Sequence, residues 1–120
     1  MKRVGLVAHD QKKPLLVAWC ALHREALAAY TLYATGTTGA QIVAATGLPV
    51  HLLKSGPLGG DAQLGAMIAE GKLDALIFYQ DPLTAQAHDV DIKALTRLAT
   101  LYDVLFAVNP ATADAVLAAL

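Results

Sequence analysis

Short apolar runs alternate with longer segments of helical periodicity along the whole chain. Runs rich in Val, Leu, Ile and Phe predict buried strands, because both faces of such strands are covered by other side chains. In the segments between them, apolar residues recur every three or four positions, which is typical of helices. The pattern predicts strands over residues 3–9, 31–35, 49–54, 74–80 and 104–109. It predicts helices over residues 14–30, from the GTTG run at 36–39 to residues 45–47, and over residues 61–71, 91–103 and 111–120.

This alternation predicts an α/β fold, a doubly wound three-layer α/β/α sandwich around a five-stranded parallel sheet. The length of 120 residues suits one domain with one core, over residues 1–120. In open parallel sheets, ligands bind outside the carboxyl ends of the strands. The sequence therefore predicts a site at this edge, where the loops are polar and rich in glycine. These loops comprise residues 9–10, 35–39, 55–61, 81–91 and Asn109.

The loop SGPLGGD, residues 55–61, has the glycines of a phosphate-binding turn but ends in a carboxylate. A nucleotide-binding loop ends in Gly-Lys-Ser/Thr, where the lysine meets the phosphate charge. Asp61 has two interpretations. It caps the following helix, which would lower its pKa, or it is a general base that removes a proton next to a carbonyl while a neighbouring loop holds a phosphate.

A second glycine loop, TGTTG at residues 35–39, joins a predicted strand to a helix. In one interpretation Thr37 or Thr38 only caps the helix and the glycines make the turn. In the other, the hydroxyls and the N–H groups at the helix N-terminus bind a phosphate monoester. Lys13, at the start of the first helix, would add a positive charge to such a site, or it is simply a solvated lysine.

Histidines and aspartates follow two of the predicted strands. His88 lies in the polar run AHDVD, where no packing role explains it, so a functional role is favoured. One of Asp89 and Asp91 is expected to cap the following helix. His9 and Asp10 end the first strand in the same way. A metal site would require His9, Asp10, His88 and Asp91 to converge, and no closely spaced histidine pair supports this alternative.

Composition narrows the class of protein. The chain is 56% hydrophobic and 16% charged, which excludes disorder, and its net charge of -1 offers no basic surface for nucleic acid. No apolar run is long enough to span a bilayer, and the first residues lead into a strand-like run rather than a signal peptide. The mean hydropathy of +0.47 indicates a large core or apolar surface covered by other subunits. Cys20, the only cysteine, is predicted to be a buried apolar side chain, and the cytoplasm is the favoured compartment.

The motifs LVAHD, YATGTTG, ATGLPV, LLKSGPLGGDAQLGAMIAEGKLDALIF and DPLTAQAHDVDIKALTRLA follow one another in an order that resembles the methylglyoxal synthase family. The resemblance implies that dihydroxyacetone phosphate is converted to methylglyoxal and inorganic phosphate. It implies no metal and no organic cofactor, inhibition by inorganic phosphate, and a homohexamer.

The resemblance also implies a role for each matching residue. Asp61 matches the catalytic base, His88 the catalytic histidine and His9 a substrate-binding histidine. Asp10 and Asp91 match supporting carboxylates of the active site. The phosphate-binding positions are matched by Lys13, Thr35, Gly36, Thr37, Thr38, Ser55 and Gly56.

The chain departs from the family pattern around the catalytic histidine. Ala87 and Val90 stand where prolines are common, which predicts a freer loop around His88. Ala62 stands where glutamine is common, and longer members extend past the closing helix, whereas this sequence stops at Leu120.

The main alternative is a non-catalytic phosphate-sensing module, because the predicted fold also resembles the regulatory domain of carbamoyl-phosphate synthetase. Such a module requires the threonine loop but not Asp61 and His88 together. A metal-dependent hydrolase is the second alternative, and sensitivity to a chelator separates it from the synthase.

Overall fold

A computed structural model describes all residues from 1 to 120. Its five strands are β1 (Arg3–Ala8), β2 (Thr31–Thr35), β3 (Val50–Leu53), β4 (Ala75–Tyr79) and β5 (Leu105–Ala107). Its helices are α1 (Lys13–Leu22), α2 (Arg24–Leu27), α3 (Gly36–Thr46), α4 (Gly60–Ala69), α5 (Asp89–Leu101) and α6 (Pro110–Ala119). Short 3-10 turns cover Asp10–Lys12 and Gly56–Leu58.

The strands form one parallel sheet in the order β3-β2-β1-β4-β5, with helices on both faces, so the predicted α/β fold is confirmed. Alternate side chains of the central strands enter two different cores. Leu6 and Ile77 belong to the core under α1, α3 and α6, whereas Val7 and Phe78 belong to the core under α4 and α5. Each of these fully buried side chains stabilises the fold by about 1.5–3 kcal/mol.

The first predicted helix is divided in the structure. The helix predicted over residues 14–30 is interrupted at His23, whose backbone (φ -104°, ψ 24°) leaves the helical region between α1 and α2. Contacts with α6 accompany this break, because Asp114 accepts a hydrogen bond from Nε1 of Trp19 at 2.8 Å and lies 3.3 Å from Nε2 of His23.

The helix predicted from Asp91 begins at Asp89 instead, with His88 as the capping residue. Asp89 and Asp91 both lie in its first turn, and neither is the cap. Carboxylates in a first turn are favoured by the helix dipole, so they start the helix earlier than a capping role would.

The order of the strands locates the crevice where a ligand would bind. β1 and β4 are neighbours, and the chain leaves them toward opposite sides of the sheet. Such a switch point opens a crevice at the carboxyl ends of the two strands. None of the helices combines the length and the apolar character that crossing a membrane requires.

Candidate active site

A cavity of about 360 Å³ opens at the carboxyl edge of the sheet. Of the predicted site residues, only Asp91 does not line it, because Asp91 is exposed on α5. The predicted residues that the cavity brings together are His9, Asp10, Lys13, Thr35, Gly36, Thr37, Thr38, Ser55, Gly56, Asp61 and His88.

Asp61 lines this cavity from the first turn of α4, with only 1% of its side chain exposed. The capping residue of α4 is Gly59, and neither carboxylate oxygen of Asp61 accepts a hydrogen bond, so the interpretation of Asp61 as a helix cap is wrong. Burial raises the pKa of this carboxyl; His88 opposes the shift and Asp91 adds to it. A buried, unpartnered carboxylate is a stronger base than an exposed one.

His88 faces this carboxylate. Its Nε2 atom lies 3.5 Å from Oδ2 of Asp61, and its Nδ1 atom is buried without a partner. Its backbone is held at the start of α5, since its carbonyl accepts from the N–H groups of Asp91 and Ile92 at 3.0 and 3.2 Å. Glycine is required opposite the ring, because a Cβ on Gly56 would lie 2.8 Å from Nε2 of His88.

His9 lies on the same wall of the cavity and is buried. Its Nδ1 atom accepts a hydrogen bond from the backbone N–H of Asp81 at 2.8 Å, and its Nε2 atom has no partner. The ring packs edge-on against Phe78, with 5.0 Å between the centroids. Burial lowers the pKa of His9, and so does His88, which favours the neutral imidazole.

The threonine loop, residues 35–39, also lines the cavity. α3 begins at Gly36, and no side chain caps it, so the interpretation of Thr37 or Thr38 as the cap is wrong. Thr35, Thr37 and Thr38 line the cavity at the N-terminus of α3, where backbone N–H groups without an intrahelical partner can bind an anion. Gly36 has a φ of 42°, and a Cβ there would lie 2.8 Å from Cβ of Ser55, so glycine allows the two loops to meet.

Lys13 is the one basic side chain that lines the cavity. Its Nζ atom donates to Oγ1 of Thr37 at 2.8 Å and pairs with Oδ1 of Asp10 at 2.8 Å. The hydrogen bond and the charge of Lys13 lower the pKa of the Asp10 carboxyl. Asp10 therefore holds the ammonium group beside the N-terminus of α3, where the charge favours an anion.

Two residues of the site received no role from the sequence. Gln86 lines the cavity, and Asp81 contributes the N–H that His9 accepts. Both lie in the loop after β4, which the sequence predicts to be functional because ligands bind outside the carboxyl ends of parallel strands. The bond between Asp81 and His9 spans 72 positions, so no local pattern could have revealed it.

The donor set of the cavity does not favour a metal ion. No three His, Cys, Asp or Glu side chains of the chain converge in an arrangement that could hold one. The four residues considered for a metal site, His9, Asp10, His88 and Asp91, are separated by the contacts of Asp10 with Lys13 and by the exposure of Asp91.

Similarity to known proteins agrees with this geometry. The family model of the MGS-like domain matches residues 16–108. The methylglyoxal synthase of Leptospira interrogans is 58% identical over 114 residues, which cover 95% of this chain and 77% of that protein. The chain belongs to the methylglyoxal synthase family.

Two further comparisons extend the family match to almost the whole chain. The methylglyoxal synthase of Brucella ovis is 55% identical over 119 residues, which cover 98% of this chain and 95% of that protein. The crystal structure of methylglyoxal synthase from Elizabethkingia anophelis superposes with a TM-score of 0.91 at 48% identity, over 97% of this chain and 76% of that one.

Proposed function

We propose that this chain is a lyase that converts dihydroxyacetone phosphate to methylglyoxal and inorganic phosphate. One observation carries the proposal: a buried carboxylate without a hydrogen-bond partner, Asp61, lies 3.5 Å from Nε2 of His88 in a cavity that Lys13 and the threonine loop also line. A regulatory phosphate sensor needs only the second half of this arrangement.

Asp61 removes a proton from the hydroxymethyl carbon of the substrate, C3, which the adjacent carbonyl makes acidic. The raised pKa of Asp61 suits a general base, because the proton-accepting strength of a carboxylate increases with its pKa. His88 donates a hydrogen bond from Nε2 to the carbonyl oxygen and stabilises the developing enediolate. A neutral imidazole is sufficient for this, since a neutral histidine polarises the substrate carbonyl in triosephosphate isomerase.

The enediolate then expels phosphate. The hydroxyl proton on C3 passes to the departing phosphate as its C–O bond becomes a carbonyl, the double bond moves to C1 and C2, and the bond between C1 and the phosphate oxygen breaks. This requires that bond to stand perpendicular to the enediolate plane. The phosphate is held in that orientation by the threonine loop together with Lys13 and Ser55. The released enol takes a proton on C1 and becomes methylglyoxal.

Inorganic phosphate is expected to inhibit, because substrate and product phosphate share one site. We further propose a homohexamer in the cytoplasm. Three apolar side chains support an assembly, since Leu58 in a 3-10 turn, Leu83 in the loop after β4 and Val90 in the first turn of α5 are 75%, 94% and 79% exposed. Exposed apolar side chains in contiguous groups mark surfaces that other subunits cover.

The test is to supply dihydroxyacetone phosphate to EDTA-treated protein and to measure both products. Equal amounts of methylglyoxal and phosphate, formed at the same rate with or without EDTA, are expected. Binding of phosphate without turnover would support the sensor, and restoration of activity only by zinc or magnesium would support a metal-dependent hydrolase.

A further inference from the structure

One buried hydrogen bond connects the loops that follow β1 and β4. The backbone N–H of Asp81 donates to Nδ1 of His9 over 2.8 Å. A backbone N–H is always a donor, so the nitrogen that accepts from it carries a lone pair and no proton. The proton of the neutral His9 ring must therefore lie on Nε2.

That Nε2–H faces the cavity. Nε2 of His9 is buried and has no hydrogen-bond partner in the protein, although His9 lines the cavity wall. Buried polar groups without a protein partner are rare in folded proteins, and one that faces a cavity is free to donate to a molecule that enters it. The ring is held in place by the edge-on contact with Phe78.

The side chain of Asp81 closes the turn from which its own N–H projects. Its Oδ1 atom accepts a hydrogen bond from the N–H of Leu83 at 3.1 Å. Hydrogen bonds from the side chain of Thr84 and from the backbone of Leu83 lower the pKa of this carboxyl. An aspartate or asparagine that accepts from the N–H two residues ahead fixes the local backbone as an Asx turn. The direction of the Asp81 N–H therefore depends on the Asp81 side chain.

We propose that Asp81 is a positioning residue, which holds His9 as a neutral imidazole with its Nε2–H directed at a substrate oxygen. The proposal rests on the proposed function and names how the substrate-binding histidine is oriented. A neutral imidazole is a far weaker acid than an imidazolium, so it donates a hydrogen bond while retaining its proton. Return of a proton to the enediolate is then disfavoured relative to loss of phosphate.

The charged groups that face His9 show why its protonation state must be held. His88, whose ring centroid is 6.3 Å away, disfavours a positive charge on His9, whereas Asp81 and Asp10 favour one. Protonation of Nδ1 would break the bond from the Asp81 N–H and leave two hydrogens facing each other. The hydrogen bond from the Asp81 N–H therefore favours the neutral His9 ring, against the effect of the two carboxylates.

The proposal is tested with Asp81→Ala and Asp81→Asn. Nitrogen NMR of histidine-labelled wild-type protein without substrate should show His9, assigned with a His9→Gln variant, as a neutral ring protonated on Nε2 between about pH 5 and pH 8. Asp81→Ala should mix the tautomers of His9 and lower kcat by about 10- to 100-fold, while KM and phosphate inhibition stay within about twofold. Asp81→Asn can close the same turn and should restore both the spectrum and kcat.

Asp89→Ala is the matched control, because Asp89 begins α5, directly after the loop that holds Asp81, and its side chain pairs with Lys93. It should leave the His9 spectrum and kcat unchanged. A wild-type His9 with its proton on Nδ1 overturns the proposal, even if Asp81→Ala fails to fold. An Asp81→Asn variant as impaired as Asp81→Ala also overturns it, since the charge would then matter and not the turn.

The outcomes that would contradict the proposed function differ from those that would contradict the role of Asp81. If the wild-type protein makes no methylglyoxal but His9 shows the Nε2–H tautomer, then the assignment of the reaction is wrong and the structural role of Asp81 stands. If methylglyoxal is made and Asp81→Ala leaves the His9 spectrum unchanged, only the role of Asp81 is wrong.

Discussion

Nε2 of His88 lies 3.5 Å from Oδ2 of Asp61, and neither carboxylate oxygen of Asp61 accepts a hydrogen bond. A structural carboxylate at this depth would be satisfied by backbone or side-chain donors. The pair instead leaves the carboxylate free to accept a proton, and this arrangement separates a catalytic site from a site that only binds phosphate.

Asp61→Asn should therefore abolish turnover while the protein still folds. The substitution keeps the size of the side chain and removes the base, so methylglyoxal formation should fall by at least ~10²–10⁴-fold. Exchange of the C3 proton of the substrate with deuterated solvent should fall in parallel. Phosphate affinity, measured by calorimetry, should be kept or increased because a nearby negative charge has gone. Asp89→Asn is the control and should behave as wild type; near-normal output from a folded Asp61→Asn protein would remove Asp61 from the mechanism.

The same substitution should change how stability depends on pH. Burial raises the pKa of Asp61 above its ordinary value of 3.8, so the folded state binds more protons than the unfolded chain between the two values. The free energy of unfolding should consequently fall as the pH rises through this window, and Asp61 should cost stability at neutral pH.

Asp61→Asn lacks this titration. Urea denaturation at a series of pH values should give a difference between variant and wild type that is small at low pH and increasingly favours the variant toward neutrality. A variant that is less stable than wild type at neutral pH would show that the charged carboxylate has stabilising partners.

Lys13→Ala and Thr37→Ala should weaken the binding of substrate and phosphate together. Nζ of Lys13 and Oγ1 of Thr37 are 2.8 Å apart at the N-terminus of α3, so both are expected to contact the same phosphate group. Each lost hydrogen bond should cost roughly 1–3 kcal/mol, or about 5- to 150-fold in the dissociation constant.

Thr100→Ala provides the control for this pair, because Thr100 donates only within α5, to the carbonyl of Thr96. Binding is measured by calorimetry with inorganic phosphate, and KM is measured with dihydroxyacetone phosphate. An unchanged phosphate affinity in Lys13→Ala or Thr37→Ala would exclude that residue from the anion site.

Asp103 is the one residue other than glycine with a left-handed backbone, with a φ of 56° after the end of α5. Because a side chain is strained there, Asp103→Gly should raise the free energy of unfolding by up to about 1 kcal/mol. Gly47→Ala, at a φ of 71° with nothing near the added Cβ, should lower it by a similar amount, about 1 kcal/mol. Thermal and urea denaturation measure both; equal stabilities of all three proteins would contradict the backbone argument.

The chain should be oligomeric at micromolar concentration, because apolar side chains such as Leu83 and Val90 are exposed. Light scattering should report a mass several times that of the chain. A monomer of 12.5 kDa would contradict the proposed assembly.

The sequence predicted most of the fold because its signals are local. The buried run of β4 and the glycine-rich loops identify strands and strand ends without knowledge of tertiary contacts. The break at His23 was missed because it depends on Asp114 of α6. β5 ends early, at Ala107: the carbonyl of Val108 still accepts from the N–H of Gln80, but its own N–H donates to Oγ1 of Thr112 in α6.

The sequence predicted which residues form the site but not which hydrogen bonds their side chains make. The motifs identified Asp61, but its capping propensity left its role open. Only the tertiary structure shows that its carboxylate oxygens have no hydrogen-bond partner. The partner of His9 is a backbone N–H far along the chain, so residue identity carries no information about it. Hydrogen-bond states of this kind depend on tertiary geometry, which no sequence pattern records.

The single thiol of the chain gives the protein a built-in probe of its own opening. Cys20 lies on the buried face of α1 and is fully buried, and burial raises its pKa to about 12. A thiol reagent can therefore modify Cys20 only while α1 is detached from the sheet. The rate of this modification in the wild-type protein measures how often α1 detaches. Because α1 begins at Lys13, phosphate that binds Lys13 should slow the modification of Cys20. The modification rate therefore reports ligand binding at the first residue of the same helix.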